Sequence, residues 1–215
     1  MLKEIMLRHG TDKVQGHNYA EHYEWHFRDL REKVINLFEI GVGGYNVPYI
    51  GGNSLRAWKE YFPNADIYSL DIYDKSTLEE DRIHIYQGSQ VDPDILTTIY
   101  QDSGDFDIII DDGSHVNTHI IKSFEFLFPL LKSGGVYVIE DVQTSYFPEL
   151  KGGNITTMEY FTKLLDGLNY KERVGYYTHT YYDRNITSIH FYHNLIFIHK
   201  GDNSEESNIV RNNER

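Results

Sequence analysis

The sequence predicts an α/β protein whose central sheet is mostly parallel and ends in an antiparallel hairpin. From about residue 36 to residue 168, short apolar segments alternate with segments in which apolar residues recur at helical spacing. This alternation is typical of a parallel sheet with helices packed on its faces. Near the C-terminus, two apolar segments are separated only by His193-Asn194, which favours a hairpin.

Each element follows from its local pattern. The predicted parallel strands are Asn36–Val42, Ile67–Ile72, Ile83–Tyr86, Phe106–Ile110 and Val136–Glu140, the last entered through a turn at Gly134-Gly135. The predicted helices are Ser54–Tyr61, Asp94–Gln101, Thr118–Leu131 and Thr157–Leu168. The hairpin strands are Thr187–Tyr192 and Leu195–His199.

The composition is that of a globular domain. The chain has 215 residues, of which 40% are hydrophobic and 25% are charged, and this length can bury one core. We interpret residues 1–200 as one domain and residues 201–215, rich in Asn, Ser and Glu, as a disordered tail. Because the chain has no cysteine, its strong metal ligands are limited to His, Asp and Glu.

Charge and hydropathy exclude two classes of partner. The net charge of -13 argues against nucleic acid or an anionic membrane surface as the main partner. No apolar run approaches the ~20 residues that a bilayer span needs, and the first ten residues, MLKEIMLRHG, lack the features of a secretory signal. We therefore expect a cytoplasmic protein that binds neither nucleic acid nor membrane.

The first predicted strand ends in a glycine-containing segment, Glu39-Ile-Gly41-Val-Gly43-Gly44. Glycines at such a point allow the backbone to approach a ligand closely. A carboxylate in this turn repels a pyrophosphate and attracts an ammonium group, so Glu39 favours S-adenosylmethionine over a dinucleotide. The motif by itself has low specificity, and a tight turn at Gly41 and Gly43 explains it equally well.

The next two strands end in groups that suit a nucleoside. Asp71 ends the second strand, where a carboxylate can accept hydrogen bonds from both ribose hydroxyls, although a helix cap or a solvated strand end is the alternative. Ser89 and Gln90 follow the third strand, where a hydroxyl and an amide could recognise the edge of adenine. Together with the glycine segment, these positions predict a site for S-adenosylmethionine.

Acidic residues follow the fourth and fifth strands. The fourth strand runs into Asp111-Asp112 and the fifth into Glu140-Asp141, so four carboxylates converge at one edge of the sheet. Without a cation they would repel one another or take up protons. We therefore predict a hard divalent cation among these acids, with Mg²⁺ favoured and Mn²⁺ or Ca²⁺ as alternatives. Asp111 is a candidate for the cofactor side. Solvated strand ends and helix caps remain the alternative interpretation.

His115, which follows Asp111-Asp112 in the sequence, is the candidate general base. The cation would bind vicinal hydroxyls of a substrate and lower the pKa of the attacking hydroxyl, with Asp112 as part of the catalytic centre and His115 as the proton acceptor. His119 is a weaker candidate. The remaining strand histidines are interpreted as structural, without convergent partners: His84, His190, His193 and His199.

Several segments resemble the macrocin and mycinamicin sugar O-methyltransferases, a group that also includes tetracenomycin rhamnosyl methyltransferases and cephalosporin hydroxylase-like proteins. They are GTDK (Gly10–Lys13), FEIGVGGY (Phe38–Tyr45), GGNSLRAWKEYFPNADIYSLDIYDKS, YQGSQVDP, FDIIIDDGSHVNTHII and GGVYVIEDVQTSYFPELKGG. The resemblance extends from Gly10 to Gly153, and IDDGSH and IED are far more specific than the glycine segment.

The resemblance implies a class I methyltransferase version of the Rossmann-like fold and Mg²⁺-dependent transfer of a methyl group from S-adenosylmethionine to a deoxysugar hydroxyl of a glycoside. His115 matches the base proposed for the family. The positions that match the family's metal ligands are Asp112, Glu140 and Asp141. On the cofactor side the matching positions are Glu39, Asp71, Ser89 and Gln90. Thr11, Asp12 and Lys13 match a segment that closes over the active site.

One departure from the family concerns its assembly. Some members carry a large auxiliary domain before the methyltransferase domain, whereas this sequence begins almost directly at GTDK. We therefore expect a simpler homo-oligomer, with a dimer favoured. Substrate contacts are expected from Gln143–Asn154 and Tyr176–Arg184.

Two other functions remain open from the sequence. An NAD-dependent oxidoreductase is disfavoured because Glu39 stands where a pyrophosphate would bind and Asn46 occupies the third glycine position of G-x-G-x-x-G. A non-catalytic relative that binds the nucleoside and assists a partner enzyme is the other alternative. Retention of the acidic residues together with His115 favours catalysis.

Overall fold

The structure, a computed structural model, describes residues 1–173 and 176–207. Its sheet has seven strands in the order β3-β2-β1-β4-β5-β7-β6. The strands are β1 (Ile35–Ile40), β2 (Ala65–Asp71), β3 (Ile83–Gln87), β4 (Phe106–Asp111), β5 (Leu131–Glu140), β6 (Ile186–Tyr192) and β7 (Leu195–Lys200). Strands β1 to β5 pair in parallel, whereas β7 pairs antiparallel with both β5 and β6.

Eight α-helices accompany the sheet within the described residues. They are α1 (Leu2–His9), α2 (Asp12–Gln15), α3 (Ala20–Phe27), α4 (Asn53–Tyr61), α5 (Pro93–Ser103), α6 (Asn117–Leu127), α7 (Thr157–Leu164) and α8 (Tyr181–Asn185). Short 3₁₀ helices span Arg28–Leu30, Ser76–Leu78, Phe128–Leu130, Val142–Tyr146, Pro148–Leu150 and Leu165–Glu172. No helix in the described part of the chain is both long and apolar enough to cross a bilayer.

The core has two halves because successive residues of a strand point to opposite faces of the sheet. Ile108 and Ile110 of β4 belong to the half that packs against α1, α3 and α4. Ile109, between them, belongs to the half that packs against α5, α6 and α7. The predicted α/β class, with a mostly parallel sheet and a C-terminal antiparallel hairpin, is therefore confirmed.

Three predicted boundaries were wrong. The helix predicted to reach Leu131 ends at Leu127, because Pro129 has no N–H to continue the α-helical hydrogen bonds and a 3₁₀ turn over Phe128–Leu130 follows. The helix predicted to reach Leu168 ends at Leu164 and continues as a 3₁₀ helix. Strand β5 begins at Leu131, whereas the prediction placed a turn at Gly134-Gly135 and the strand after it. The strand continues through these glycines, and its register with β4 shifts there.

The N-terminal helices were not predicted from the sequence. Leu2, Ile5 and Met6 of α1 are buried at helical spacing and pack against the same face of the sheet as α3. Gly10 ends α1 in the left-handed conformation with φ 69°, and the Thr11 hydroxyl then caps α2 by accepting a hydrogen bond from the Lys13 amide. The GTDK segment is therefore a helix end followed directly by a helix start.

The predicted tail is described as far as residue 207. Within that part, Asn203 Nδ2 donates to the carbonyl oxygens of Leu168 and Asp183, and Lys171 pairs with Glu206 at 2.7 Å. Residues 208–215 lie outside the described residues. The single-domain interpretation of residues 1–200 and the disordered tail from Gly201 stay predictions.

Candidate active site

The candidate site lies at the carboxyl ends of β1, β4 and β5, which are neighbours in the sheet. Glu39 belongs to β1, Asp112 follows β4, and Glu140 ends β5. The predicted convergence of acidic residues at one edge of the sheet is what the structure shows.

The glycine segment after β1 approaches the end of β4 closely. A Cβ at Gly41, where φ is +101°, would lie 2.2 Å from the Asp112 carbonyl oxygen. A Cβ at Gly43, where φ is +80°, would meet no atom within 4 Å. Gly41 is therefore required by packing as well as by conformation, whereas Gly43 faces open space.

That open space is a cavity of about 260 Å³ beside the end of β1. Its walls come from the glycine segment, from the start of α4 and from the GTDK segment, and include Gly43, Gly51, Ser54, Thr11 and Asp112. Lys75 fixes the segment that carries Ile50, a residue of the cavity wall. Its buried ammonium donates to the carbonyl oxygens of Val47 and Ile50 at 2.7 and 2.9 Å.

Asp71 contacts this cavity's glycine wall. Its carboxylate accepts hydrogen bonds from the Val42 amide at 3.0 Å and from the Tyr73 amide at 2.9 Å. The first bond joins the end of β1 to the end of β2 and the second is local, and each oxygen retains a lone pair that a ribose hydroxyl could use. The predicted role of Asp71 toward a cofactor stays a prediction.

Gln90 and Asp111 form a buried pair between the ends of β3 and β4. The Gln90 Nε2 donates to both Asp111 oxygens, at 3.1 and 3.2 Å, and its Oε1 accepts from the Ser114 amide at 2.7 Å. Burial raises the pKa of Asp111 to about 6. Gln90 thus fixes the loop that carries His115, while the hydroxyl of Ser89, half-buried beside it, accepts from the Val91 amide at 3.4 Å. Their predicted contact with adenine stays a prediction.

Lys13 occupies the centre of the acidic cluster. Its ammonium lies 2.6 Å from Glu140, 2.8 Å from Asp112 and 3.4 Å from Glu39, and its side chain is 1% exposed. Burial alone would lower the pKa of Lys13, but the three carboxylates outweigh it and raise that pKa well above its ordinary value. Lys13 is therefore a charged member of the site, which the sequence singled out only through GTDK.

Three carboxylates around one ammonium leave an excess of negative charge in a buried place. Burial, followed by the charge of Asp112, raises the pKa of Glu140 well above its ordinary value, although Lys13 acts in the opposite direction. Burial also raises the pKa of Glu39, whose Oε2 accepts from Trp58 Nε1 at 2.7 Å and whose Oε1 lies 3.4 Å from the Lys13 ammonium. This environment fits an additional cation.

The acids divide into two groups that share Asp112. Glu39, Asp112 and Glu140 form one, and Asp112, His115 and Asp141 form the other, with one ligand atom of each residue within 4.8 Å of the others. Their oxygen donors fit a hard divalent cation such as Mg²⁺. Glu140 and Asp141 therefore belong to different groups, and the predicted ligand set of Asp112, Glu140 and Asp141 stays a prediction.

His115 lies at the more exposed side of the cluster. Its Nε2 is 4.0 Å from Asp112 and 3.9 Å from Asp141, which face it from the ends of two strands. Both His115 and Asp141 hold left-handed backbone conformations, with φ of 57° and 54°. Non-glycine residues adopt this conformation at a cost, and such strain concentrates at functional sites.

Helix α3 supplies two tyrosines that the sequence did not indicate. Tyr19, just before α3, donates to Asp141 at 2.7 Å, and Tyr23 donates to Glu140 at 2.5 Å. Burial and these carboxylates raise the pKa of both phenols, so both remain hydrogen-bond donors at neutral pH. No sequence motif marks them, because they reach the site only when α3 packs against β5 and β7.

Known proteins are similar to this chain over nearly its whole length. No family model matches the chain. It is 42% identical, over 98% of its length and 57% of the relative's, to the 8-demethyl-8-alpha-L-rhamnosyl tetracenomycin-C 2'-O-methyltransferase of Streptomyces olivaceus. It is 44% identical, over 95% of its length and 53% of the relative's, to the mycinamicin VI 2''-O-methyltransferase of Micromonospora griseorubida.

A solved structure agrees with these sequence relatives. The MycE methyltransferase of mycinamycin biosynthesis, in complex with Mg, SAH and mycinamycin VI, superposes with a TM-score of 0.90 at 44% identity, covering 95% of this chain and 54% of that one. The chain is a homologue of these sugar O-methyltransferases. It spans about half the length of the curated relatives that it matches. The resemblance predicted from GTDK, IDDGSH and IED is confirmed, and the methyltransferase version of the Rossmann-like fold with it.

Proposed function

We propose that this sugar O-methyltransferase homologue is itself an S-adenosylmethionine-dependent, divalent-metal-assisted O-methyltransferase. Its substrate would be a sugar hydroxyl of a glycosylated natural product or polysaccharide. The observation that carries the proposal is the convergence of Asp112, Glu140, Asp141 and His115 beside the glycine-walled cavity. The solved relative with Mg, SAH and mycinamycin VI supports the same assignment of cofactor, cation and glycoside.

In this proposal S-adenosylmethionine supplies an electrophilic methyl group and the divalent cation supplies Lewis acidity. His115 accepts the proton of the attacking hydroxyl as the new oxygen–carbon bond forms and the carbon–sulfur bond breaks. Asp112 and Asp141, each about 4 Å from His115, favour the imidazolium that results. Positioning of the hydroxyl against the methyl group supplies most of the remaining rate enhancement.

The surrounding residues have supporting roles in the proposal. Asp112, Glu140 and Asp141 hold the cation, and Tyr19 and Tyr23 orient the carboxylates to which they donate. The cofactor side is formed by residues at and after the ends of the parallel strands: Glu39, Gly41, Gly43, Asp71, Ser89, Gln90 and Asp111. Tyr146 and Phe147, exposed on the segment after β5, provide apolar surface on which a sugar ring can pack.

Assembly and location complete the proposal. We infer a homodimer in the cytoplasm, with neither nucleic acid nor membrane as a partner, and the net charge of -13 supports the absence of both. Light scattering of the protein as it elutes from a size-exclusion column would give twice the chain mass of 25.2 kDa for a dimer. A mass of one chain would exclude it.

Calorimetric titration tests the cofactor first. S-Adenosylmethionine is titrated into the metal-free chain with and without Mg²⁺, and NADH is titrated as the control for a dinucleotide site. Binding of S-adenosylmethionine, followed by Mg²⁺-dependent methylation of a glycoside panel, is the expected result. Preference for NADH would favour the oxidoreductase, and cofactor binding without turnover on any glycoside would favour a non-catalytic relative.

A further inference from the structure

A cluster of three imidazoles lies away from the acidic centre. His26 of α3, His190 of β6 and His199 of β7 each place one ring nitrogen within 4.8 Å of the other two. Two of these histidines, His190 and His199, had been interpreted from the sequence as lacking convergent partners, and that interpretation was wrong. The error arose because the third histidine comes from α3, a helix that was not predicted.

Hydrogen bonds and packing orient these rings. His26 Nδ1 lies 2.8 Å from His199 Nε2, and its other nitrogen lies 3.1 Å from the Tyr192 hydroxyl. The His26 ring also stacks on Phe197 with a centroid distance of 4.0 Å. An imidazole whose outer nitrogen bonds an orienting group while its inner nitrogen faces other imidazoles has the arrangement usual for histidine metal ligands.

The cluster also has the protonation state that a metal needs. Burial lowers the pKa of His26 to about 3 and that of His199 to about 4, and neighbouring histidines add to both effects. Burial lowers the pKa of His190 as well. The rings are therefore neutral at physiological pH and can bind a cation without first losing a proton.

We propose that His26, His190 and His199 form a second metal site, for a borderline transition-metal ion of the Zn²⁺ class, which ties α3 to the β6–β7 hairpin. Three imidazole nitrogens suit such ions, whereas Mg²⁺ prefers the oxygen donors of the acidic centre. The ion takes the place of the hydrogen bond between His26 and His199. The proton of that bond moves to the other nitrogen of the same ring, so both imidazoles bind in the neutral form. With metal–nitrogen bonds of about 2.0–2.1 Å, the two rings separate by roughly 0.5 Å from their present spacing.

Through α3, an ion at the histidine cluster would also affect the acidic centre. Helix α3 carries His26 at one end, while Tyr19 and Tyr23 at and near its other end bond Asp141 and Glu140. An ion held by His26 and the hairpin therefore fixes the helix that orients two carboxylates of the acidic centre. This site does not depend on the proposed methyl transfer, so the two proposals fail independently.

Zinc titration tests the proposal. The chain, without a polyhistidine tag, is stripped of metal, saturated with Mg²⁺ to occupy the oxygen site, and titrated with ZnCl₂. His190→Gln is the main variant, since His190 lies on the edge strand β6. The matched control is His84→Gln, which changes a histidine stacked on Tyr68 at the opposite end of the sheet.

We expect one Zn²⁺ bound by the unchanged chain and by His84→Gln. His190→Gln should weaken the affinity at least ~10-fold, because loss of even an orienting partner costs that much. The same contrast should appear in thermal unfolding, where Zn²⁺ raises the Tm of the unchanged chain and not that of His190→Gln. Circular dichroism checks that the variant is folded, and His199→Gln serves as a second ligand variant.

Because His115 also offers an imidazole, the titration is repeated with His115→Ala. Zn²⁺ binding that survives His115→Ala and is lost in His190→Gln supports the proposal. Zn²⁺ binding of equal affinity in the unchanged chain and in folded His190→Gln and His199→Gln would overturn it. So would the absence of Zn²⁺ binding to the Mg²⁺-saturated chain.

Discussion

Lys13 brings one ammonium into contact with carboxylates from three strands. Replacing it with methionine keeps much of the side-chain volume and leaves the buried Glu39 and Glu140 and the partly exposed Asp112 without their cation. We expect Lys13→Met to lower the free energy of unfolding by about 3–5 kcal/mol in the absence of metal, as for other buried pairs that lose one partner. Urea denaturation in EDTA measures this change.

Magnesium separates this electrostatic effect from simple loss of packing. We expect Mg²⁺ to raise the Tm of Lys13→Met more than that of the unchanged chain, because the variant has more uncompensated charge at the acidic centre. The control is Lys132→Met, which breaks the half-exposed pair with Asp107 and should cost less than about 1 kcal/mol. Equal Mg²⁺ responses in all three proteins would contradict this account of Lys13.

His115 is the residue on which the proposed chemistry depends most. We expect His115→Ala to lower the rate of methyl transfer ~100-fold or more, the usual contribution of a general base. Its affinity for S-adenosylmethionine should change little, because His115 faces Asp112 and Asp141 and is absent from the cavity lining. Single-turnover rates and calorimetry measure the two effects.

His119→Ala is the matched control for His115. His119 lies in α6, and its ring nitrogen bonds the Ser114 hydroxyl at 2.9 Å. Within residues 1–173 and 176–207 it forms no ion pair with a carboxylate. Its removal should leave most of the rate intact. A His115→Ala rate above roughly a tenth of the original would remove His115 from the role of base.

At the scale of elements, the glycine segment offers a matched pair. Gly41→Ala forces a Cβ against the Asp112 carbonyl oxygen and should displace the end of β4, lowering both Tm and cofactor affinity. Gly43→Ala adds only the strain of a left-handed residue, about 1–2 kcal/mol, because no protein atom lies near its Cβ. We therefore expect Gly43→Ala to lose cofactor affinity with a smaller fall in Tm.

Thermal unfolding and S-adenosylmethionine titration distinguish the two glycine variants. A Gly43→Ala protein with unchanged cofactor affinity would show that the open space beside Gly43 is not part of the cofactor site. Equal falls in Tm would show that the contact of a Cβ at position 41 with Asp112 lowers stability no further than the left-handed backbone conformation does.

The packing of α3 on the hairpin predicts a dependence of stability on pH. His26 and His199 have lower pKa values in the folded chain, about 3 and 4, than the 6.5 of the free side chain. The folded state therefore binds fewer protons than the unfolded state between about pH 6.5 and 4, and stability falls as the pH falls through that window. Above pH 6.5 this contribution is complete and constant.

We expect the Tm, measured in EDTA from pH 7.5 to 5, to fall less steeply in His199→Gln than in the unchanged chain. The comparison of slopes removes the contribution of carboxylates that both proteins share. His84→Gln, with a half-exposed ring at the far edge of the sheet, should keep the original slope. A His199→Gln slope equal to the original would show that the pKa of His199 is the same in the folded and unfolded chain.

At the scale of the whole molecule, the sheet was predictable because its signals are local. Each parallel strand is a short apolar run that ends at glycine or an acid, and the C-terminal end of each was located to within two residues. The convergence of Asp112, Glu140 and Asp141 also followed, since neighbouring parallel strands end at one edge. Helix ends were less accurate where 3₁₀ turns continue the chain.

The N-terminal contribution to the site was not predictable in this way. Lys13, Tyr19 and Tyr23 reach the acidic centre because α2 and α3 pack over the ends of β5 and β7, a contact between residues more than one hundred positions apart. Nothing in the local pattern of residues 11–23 specifies that contact. The same is true of His26, whose partners on the hairpin follow it by more than 160 positions.

The two tryptophans of the chain lie beside different clusters. The Trp58 indole donates to Glu39 inside the acidic centre, whereas Trp25, 55% exposed, contacts the rings of His26 and His190. Intrinsic fluorescence therefore contains a signal from each, and Trp25→Phe isolates the one from Trp58. Tryptophan fluorescence can therefore report metal binding at either cluster without an added label. Binding at one cluster can be followed while the metal content of the other is held constant.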